Sequence, residues 1–86
     1  MTAEEKILEA GYGDVIVLKN YSYDDALIGV TEDNRAVYDF DKMVGYLCEK
    51  HGFDFDEAVE WIEYNTIRAL AYAGDKAPIV MYRRPE

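Results

Sequence analysis

Short blocks of apolar positions divide the chain into segments with either helical or strand spacing. The first block follows a capping-box pair, Thr2 and Glu5, and stops at Gly11, which predicts a short N-terminal helix. The next apolar run, "DVIVLKN" at 14–20, is rich in β-branched residues and bounded by turn formers. This run predicts a strand buried on both faces.

Two further runs predict a β-hairpin. "ALIGV" at 26–30 and "RAVYDF" at 35–40 flank the turn sequence "TEDN", in which Asp33 and Asn34 tolerate a left-handed backbone. Later in the chain, Pro78 precedes "IVMY", and proline is accepted at the start of a strand because no N–H is needed there. The pattern thus predicts four strands in all.

Two longer helices lie between the hairpin and the last strand. The first is capped by Asp39 or Asp41 and ends at His51 with Gly52 just past it; its apolar positions are Met43, Val44, Leu47 and Cys48.

The second long helix opens with another capping pair, Asp54 and Glu57. Its apolar stripe comprises Ala58, Val59, Ile62 and Thr66, opposite the acids Glu57, Glu60 and Glu63.

These elements predict an α+β fold in the order α-β-β-β-α-α-β, as one domain over residues 1–86. We expect a small four-stranded, mainly antiparallel sheet with two helices packed on one face and the short N-terminal helix beside it. Half of the residues are apolar, so a packed core is expected without disulfides or metal. A single cysteine, Cys48, and the absence of a long apolar run or signal-like start favour a cytoplasmic location.

Charge is the most distinctive property of the composition. The net charge is −9, and residues 21–65 hold twelve acids against three bases, whereas residues 66–86 carry net positive charge. Such a field repels nucleic acid and attracts basic protein surfaces, and we expect no membrane partner. Solubility alone is the simpler explanation of the same excess.

Residues suited to catalysis or metal binding are scarce. Cys48 and His51 are three apart on one helix, but the chain has no second cysteine or histidine to complete a zinc site. The Asp39/Asp41 and Asp54/Asp56 pairs lack a calcium-loop pattern and are interpreted as helix caps. We therefore expect no cofactor, no metal and no enzymatic activity.

Asn65 lies near the apolar stripe of the second long helix and has two interpretations. A helical wheel places both Asn65 and Trp61 on one flank of Ile62. Asn65 either ends the helix or bonds carbonyls of the following "AYAG" loop, with Tyr64 as an anchor; alternatively the three polar or aromatic residues 61, 64 and 65 form a recognition patch.

Several segments together resemble a family of small acidic proteins encoded by bacteriophages and prophages, especially of gut Firmicutes. The likeness covers about two thirds of the chain, through "YDDALIGVTEDNRAVYDFDKMVGYL", "DEAVEWIEYNTIRAL" and "APIVMY". Its motifs fall at 23–26, 39–42, 57–58, 64–65 and Pro78. The resemblance implies a phage genomic context and implies no activity.

Charge and resemblance together favour an acidic phage-type inhibitor that covers a basic, nucleic-acid-binding surface of a host defence protein, such as a CRISPR effector or another nuclease. It would resemble a DNA mimic without itself binding nucleic acid. The predicted contact residues are acids and aromatics: Tyr21, Tyr23, Asp24, Asp25, Asp54, Asp56, Glu57, Glu60, Trp61 and Tyr64. The alternatives are a protein that sequesters a small nucleotide signal, and a phage structural subunit or homodimer.

Overall fold

A polar side chain caps each of the three main helices at the position that the sequence indicates. The computed structural model describes residues 2–18, 21, 23–70 and 72–82. Helix α1 spans Ala3–Glu9, α2 spans Phe40–His51, and α3 begins as an α-helix over Phe55–Trp61. It continues as a π-helix over Ile62–Ile67 and ends as α-helix over Arg68–Leu70.

The caps have the predicted geometry. In α1, the Glu5 N–H donates to Thr2 Oγ1 and the Thr2 N–H donates to Glu5 Oε1, which completes a capping box. Asp39, and not Asp41, caps α2 by accepting from the Lys42 N–H. Gly52 ends α2 in the left-handed conformation (φ 72°), which glycine adopts without steric cost.

The sheet has three strands in the described residues, in the order β1-β2-β3: Leu27–Val30, Ala36–Asp39 and Ile79–Met81. Strands β1 and β2 form the predicted antiparallel hairpin, with Asn34 at a positive φ of 64° in its turn. Strand β3 pairs parallel to β2, because the chain returns to the sheet only after crossing over through α2 and α3. The α+β class is confirmed; the sheet is mixed, and the element order is α-β-β-α-α-β.

The predicted strand over 14–20 is wrong for the part that the structure describes. Residues 14–18 form no strand, and Lys19 and Asn20 lie outside the described residues. Ile16 is 43% exposed, and the Leu18 N–H donates to the Tyr38 hydroxyl at 3.0 Å. In the described residues, β2 pairs with β1 and β3, and the run at 14–18 joins neither outer strand; its tertiary contacts, such as the bond to Tyr38, override its strand preference.

The core lies where α2 packs on β2 and α3 packs on α2. Its fully buried members are Tyr23, Ala26, Ala36, Tyr38, Met43, Leu47, Ala58 and Ile62. The Cα radius of gyration is 12.6 Å, close to the value of about 12 Å for a compact chain of this length. Four of these eight residues, Met43, Leu47, Ala58 and Ile62, belong to the helical stripes predicted from the sequence.

Candidate functional site

An open cleft of about 500 Å³ runs beside α3 and is lined mainly by aromatic rings and carboxylates. We call it the α3 cleft. Its lining residues are Tyr21, Phe53, Glu57, Glu60, Trp61, Tyr64 and Asn65.

Helical spacing places three of these side chains on one face. Glu57, Glu60 and Trp61 stand at positions i, i+3 and i+4, which share one side of an α-helix. Tyr64 follows in the π-helical part and lines the same cleft. The capping box fixes the first of them, because the Asp54 N–H donates to Glu57 Oε1 at 3.1 Å. The carboxylate of Glu57 is therefore held at the start of the cleft.

The opposite wall consists of two aromatic side chains that precede α3. Tyr21 packs edge-on against Trp61, with ring centroids 5.5 Å apart, and edge-on against Phe53 at 6.2 Å. Perpendicular ring pairs at such distances are favourable beyond their apolar burial. Tyr21 also lies 4.3 Å from the ring of His51, so this wall is anchored to the end of α2.

The π-helical turn borders the same cleft. Asn65 lies within it, is exposed, and donates from Nδ2 to the carbonyl of Trp61 at 3.1 Å. The helix continues to Leu70, so the interpretation of Asn65 as the helix end is wrong. Among the described residues, its side-chain bond goes to the preceding turn. Single π-turns occur often at functional sites, because the wider turn displaces side chains from their α-helical positions.

Trp61 has a buried donor with no acceptor among the described residues, its indole Nε1. A buried N–H without an acceptor costs about 1–3 kcal/mol. The indole is thus held in the cleft wall by packing, against the preference of its own polar atom.

The charged residues of the segment 54–63, in and just before α3, are all acidic. Residues 54–63 contain five exposed carboxylates and no basic residue: Asp54, Asp56, Glu57, Glu60 and Glu63. Several cations of the described chain bond backbone carbonyls. Lys6 donates to Asp24 O, Arg35 to Ala77 O and Lys76 to Asp33 O.

Five of the ten predicted contact residues meet in the α3 cleft, namely Tyr21, Glu57, Glu60, Trp61 and Tyr64. Asp54 and Asp56 are exposed at the start of the same helix but do not line the cleft, and Asp54 caps α3 by accepting from the Glu57 N–H at 2.8 Å.

Tyr23 was predicted as a contact residue, which requires an exposed side chain, and the structure contradicts this. Its side chain is fully buried in the core, and its hydroxyl lies 3.4 Å from Thr66 Oγ1. Burial raises the pKa of the Tyr23 hydroxyl above its ordinary value. Tyr23 also has a positive φ of 49°, which turns its side chain inward at a place where sequence alternation does not predict it.

The two neighbouring aspartates have different environments. Asp24 is half-buried and accepts a hydrogen bond from the Ala3 N–H at 2.7 Å, so it holds α1 against the rest of the fold. Asp25 is exposed and lines a second cleft of about 410 Å³, in which three carboxylates are mixed with two lysines; its other charged residues are Asp41, Lys42, Glu49 and Lys50.

Phe53 is the cleft residue that was not predicted. It directly follows the left-handed Gly52, and its N–H donates to the Leu47 carbonyl at 3.3 Å. A hydrophobic side chain often packs back on the helix just after such a glycine cap. That local signal was available in the sequence.

The described residues provide neither a metal cluster nor a membrane-spanning helix. Within the described ranges, no group of three or more His, Cys, Asp or Glu side chains could hold a metal ion. Among the same residues, no helix is long and apolar enough to cross a membrane.

No protein-family model, curated protein or solved structure matches this chain. The likeness to phage-encoded proteins therefore stays a prediction. A function has to be inferred from the residues of the α3 cleft and the charges around it.

Proposed function

We propose that this protein is a non-enzymatic inhibitor of phage type, which covers a basic, nucleic-acid-binding surface of a host defence protein such as a CRISPR effector. The observation that carries the proposal is the unmixed charge of residues 54–63 beside an aromatic cleft. Carboxylates of this kind attract the same Lys and Arg side chains that otherwise contact phosphates. Trp and Tyr beside them supply the residue types most often found at binding hot spots.

The competing proposal of a nucleotide-binding protein has weaker support. Glu57 and Glu60 line the α3 cleft, and they repel phosphate groups. Arg35 and Lys76 are engaged with backbone carbonyls, and Arg68 lies over the Tyr64 ring at 5.8 Å. Calorimetry with candidate nucleotides tests this alternative, and no heat of binding is expected.

The main test compares two charge-reversal variants with equal net charge. One replaces Asp56, Glu60 and Glu63 by Lys, all exposed on α3. The control replaces three exposed acids elsewhere, Glu9, Asp14 and Asp75, by Lys. Neither set includes a capping residue, so circular dichroism should show both variants folded.

The assay measures how the protein competes with DNA or RNA for a purified basic effector at several salt concentrations. The wild type and the control should displace the nucleic acid, with weaker competition at high salt because exposed charges are screened. The α3 variant should lose competition. Equal competition by both variants, or competition that is independent of salt, would overturn the proposal.

A further inference from the structure

We infer that the α3 cleft binds an arginine side chain of the partner; this inference deepens the proposed function and rests on it. Two carboxylates and four aromatic rings line the cleft together. A guanidinium ion can stack on an aromatic face and at the same time donate two parallel hydrogen bonds to a carboxylate. Lysine has a compact charge and cannot make the bidentate contact.

The spacing of the carboxylates suits a single planar cation. Glu57 and Glu60 are three residues apart, so their Cβ atoms lie about 5–6 Å from one another on the helix surface. Trp61 and Tyr64 follow and line the same cleft, which places aromatic surface next to both carboxylates. A cation in this cleft can thus contact charge and ring at once.

Tyr64 already makes a cation–π contact within the chain, with Arg68, which does not line the α3 cleft. The Arg68 guanidinium carbon lies 5.8 Å from the centroid of the Tyr64 ring. This is within the distance of about 6 Å at which a cation is attracted to an aromatic face. Tyr64 is 63% exposed, so its ring remains accessible to an incoming side chain.

The second cleft does not favour the same ligand. It has three carboxylates, but Lys42 and Lys50 also line it and repel a cation. Its single aromatic lining residue is Tyr46. Charge complementarity and aromatic surface therefore select the α3 cleft for arginine.

Trp61 is the only tryptophan in the chain, so its fluorescence reports directly on the α3 cleft. Short blocked peptides with a central arginine, lysine or citrulline between glycines are titrated into the wild-type protein. Emission should change with the arginine peptide and much less with lysine. Citrulline, which has the shape of arginine without its charge, should give no change.

Two double variants locate the effect. Glu57→Gln with Glu60→Gln removes both cleft charges, while glutamine can still accept the capping hydrogen bond from Asp54. The matched control, Glu9→Gln with Glu49→Gln, removes two exposed charges that lie outside the cleft and outside residues 54–63. The cleft variant should weaken arginine binding about tenfold or more, since hydrogen bonds between charged groups are lost; the control should leave it unchanged.

The outcomes separate this inference from the proposed function. No emission change with arginine, an equal response to citrulline, or an equal loss in both double variants would overturn the arginine site. If arginine binds as expected but no basic effector is inhibited, the proposed function fails and the arginine site stands. If an effector is inhibited equally by both double variants, the cleft inference fails and the inhibitor proposal stands.

Discussion

Asp24 was predicted as a contact residue, and the structure assigns it a different role that can be tested. Its carboxylate accepts the Ala3 N–H at 2.7 Å, and its backbone carbonyl accepts from Lys6 Nζ at 2.7 Å. Ala3 opens α1 and is only 1% exposed, so its N–H has little access to water. We predict that Asp24→Ala destabilises the fold by detaching α1.

The magnitude follows from the lost hydrogen bond. Leaving a buried N–H without an acceptor costs about 1–3 kcal/mol, and the half-buried position of Asp24 favours the lower part of that range, about 1–2 kcal/mol. Helix α1 has seven residues and is too short to be stable alone, so its docking depends on such contacts. For a domain of this size the loss corresponds to a fall in Tm of roughly 5–15 °C.

The assay is urea unfolding followed by circular dichroism, with Asp25→Ala as the matched control. Asp25 is adjacent, carries the same charge and is exposed, so its replacement should change the unfolding free energy by less than about 0.5 kcal/mol. Asp24→Asn keeps an acceptor oxygen and should lie between the two. Equal stability of the Asp24→Ala and Asp25→Ala variants would show that the hydrogen bond between Asp24 and Ala3 does not hold α1 on the fold.

Two further predictions concern buried polar atoms. Trp61→Phe removes the unsatisfied Nε1 donor together with some apolar surface, so its unfolding free energy should stay within about 1 kcal/mol of wild type. Trp61→Ala should cost about 2 kcal/mol or more. A large loss of stability in Trp61→Phe would show that the donor is satisfied. Burial raises the pKa of the Tyr23 hydroxyl above its ordinary value of 10.0, so the unfolded state releases its proton first and stability should fall as the pH rises above 10.0. Tyr23→Phe should reduce this loss of stability at alkaline pH, measured by urea unfolding, while Tyr72→Phe, at a 91% exposed position, should leave it unchanged. If the unfolding free energy falls with pH equally in both variants, the loss does not arise from Tyr23.

Local signals in the sequence were enough for the helices and the hairpin. Capping side chains and the Gly52 stop act within one turn, so the bounds of α2 follow from a few adjacent residues. The turn at Asn34 fixed the hairpin in the same way. Strand pairing depends on partners distant in the chain, and the β-branched run at 14–18 has no place beside β2.

The candidate site was predictable only along its helix. Glu57, Glu60 and Trp61 follow α-helical spacing, but the facing wall depends on how the loop before β1 folds. Tyr21 and Tyr23 both have positive φ values, 63° and 49°, which non-glycine residues seldom adopt. Nothing in the local sequence indicates that the first lines the cleft and the second enters the core.

Once the fold is known, the carboxylates fall into three groups: those that hold the fold together, those that lie beside lysines, and those of α3. Some are committed to structure: Asp24 tethers α1, while Asp39 and Asp54 cap helices. Those on α2 share a cleft with lysines, which lowers the local field, whereas residues 54–63 have no basic residue among them. The attraction for a cationic partner should therefore arise from α3 more than from the acidic middle of the chain as a whole.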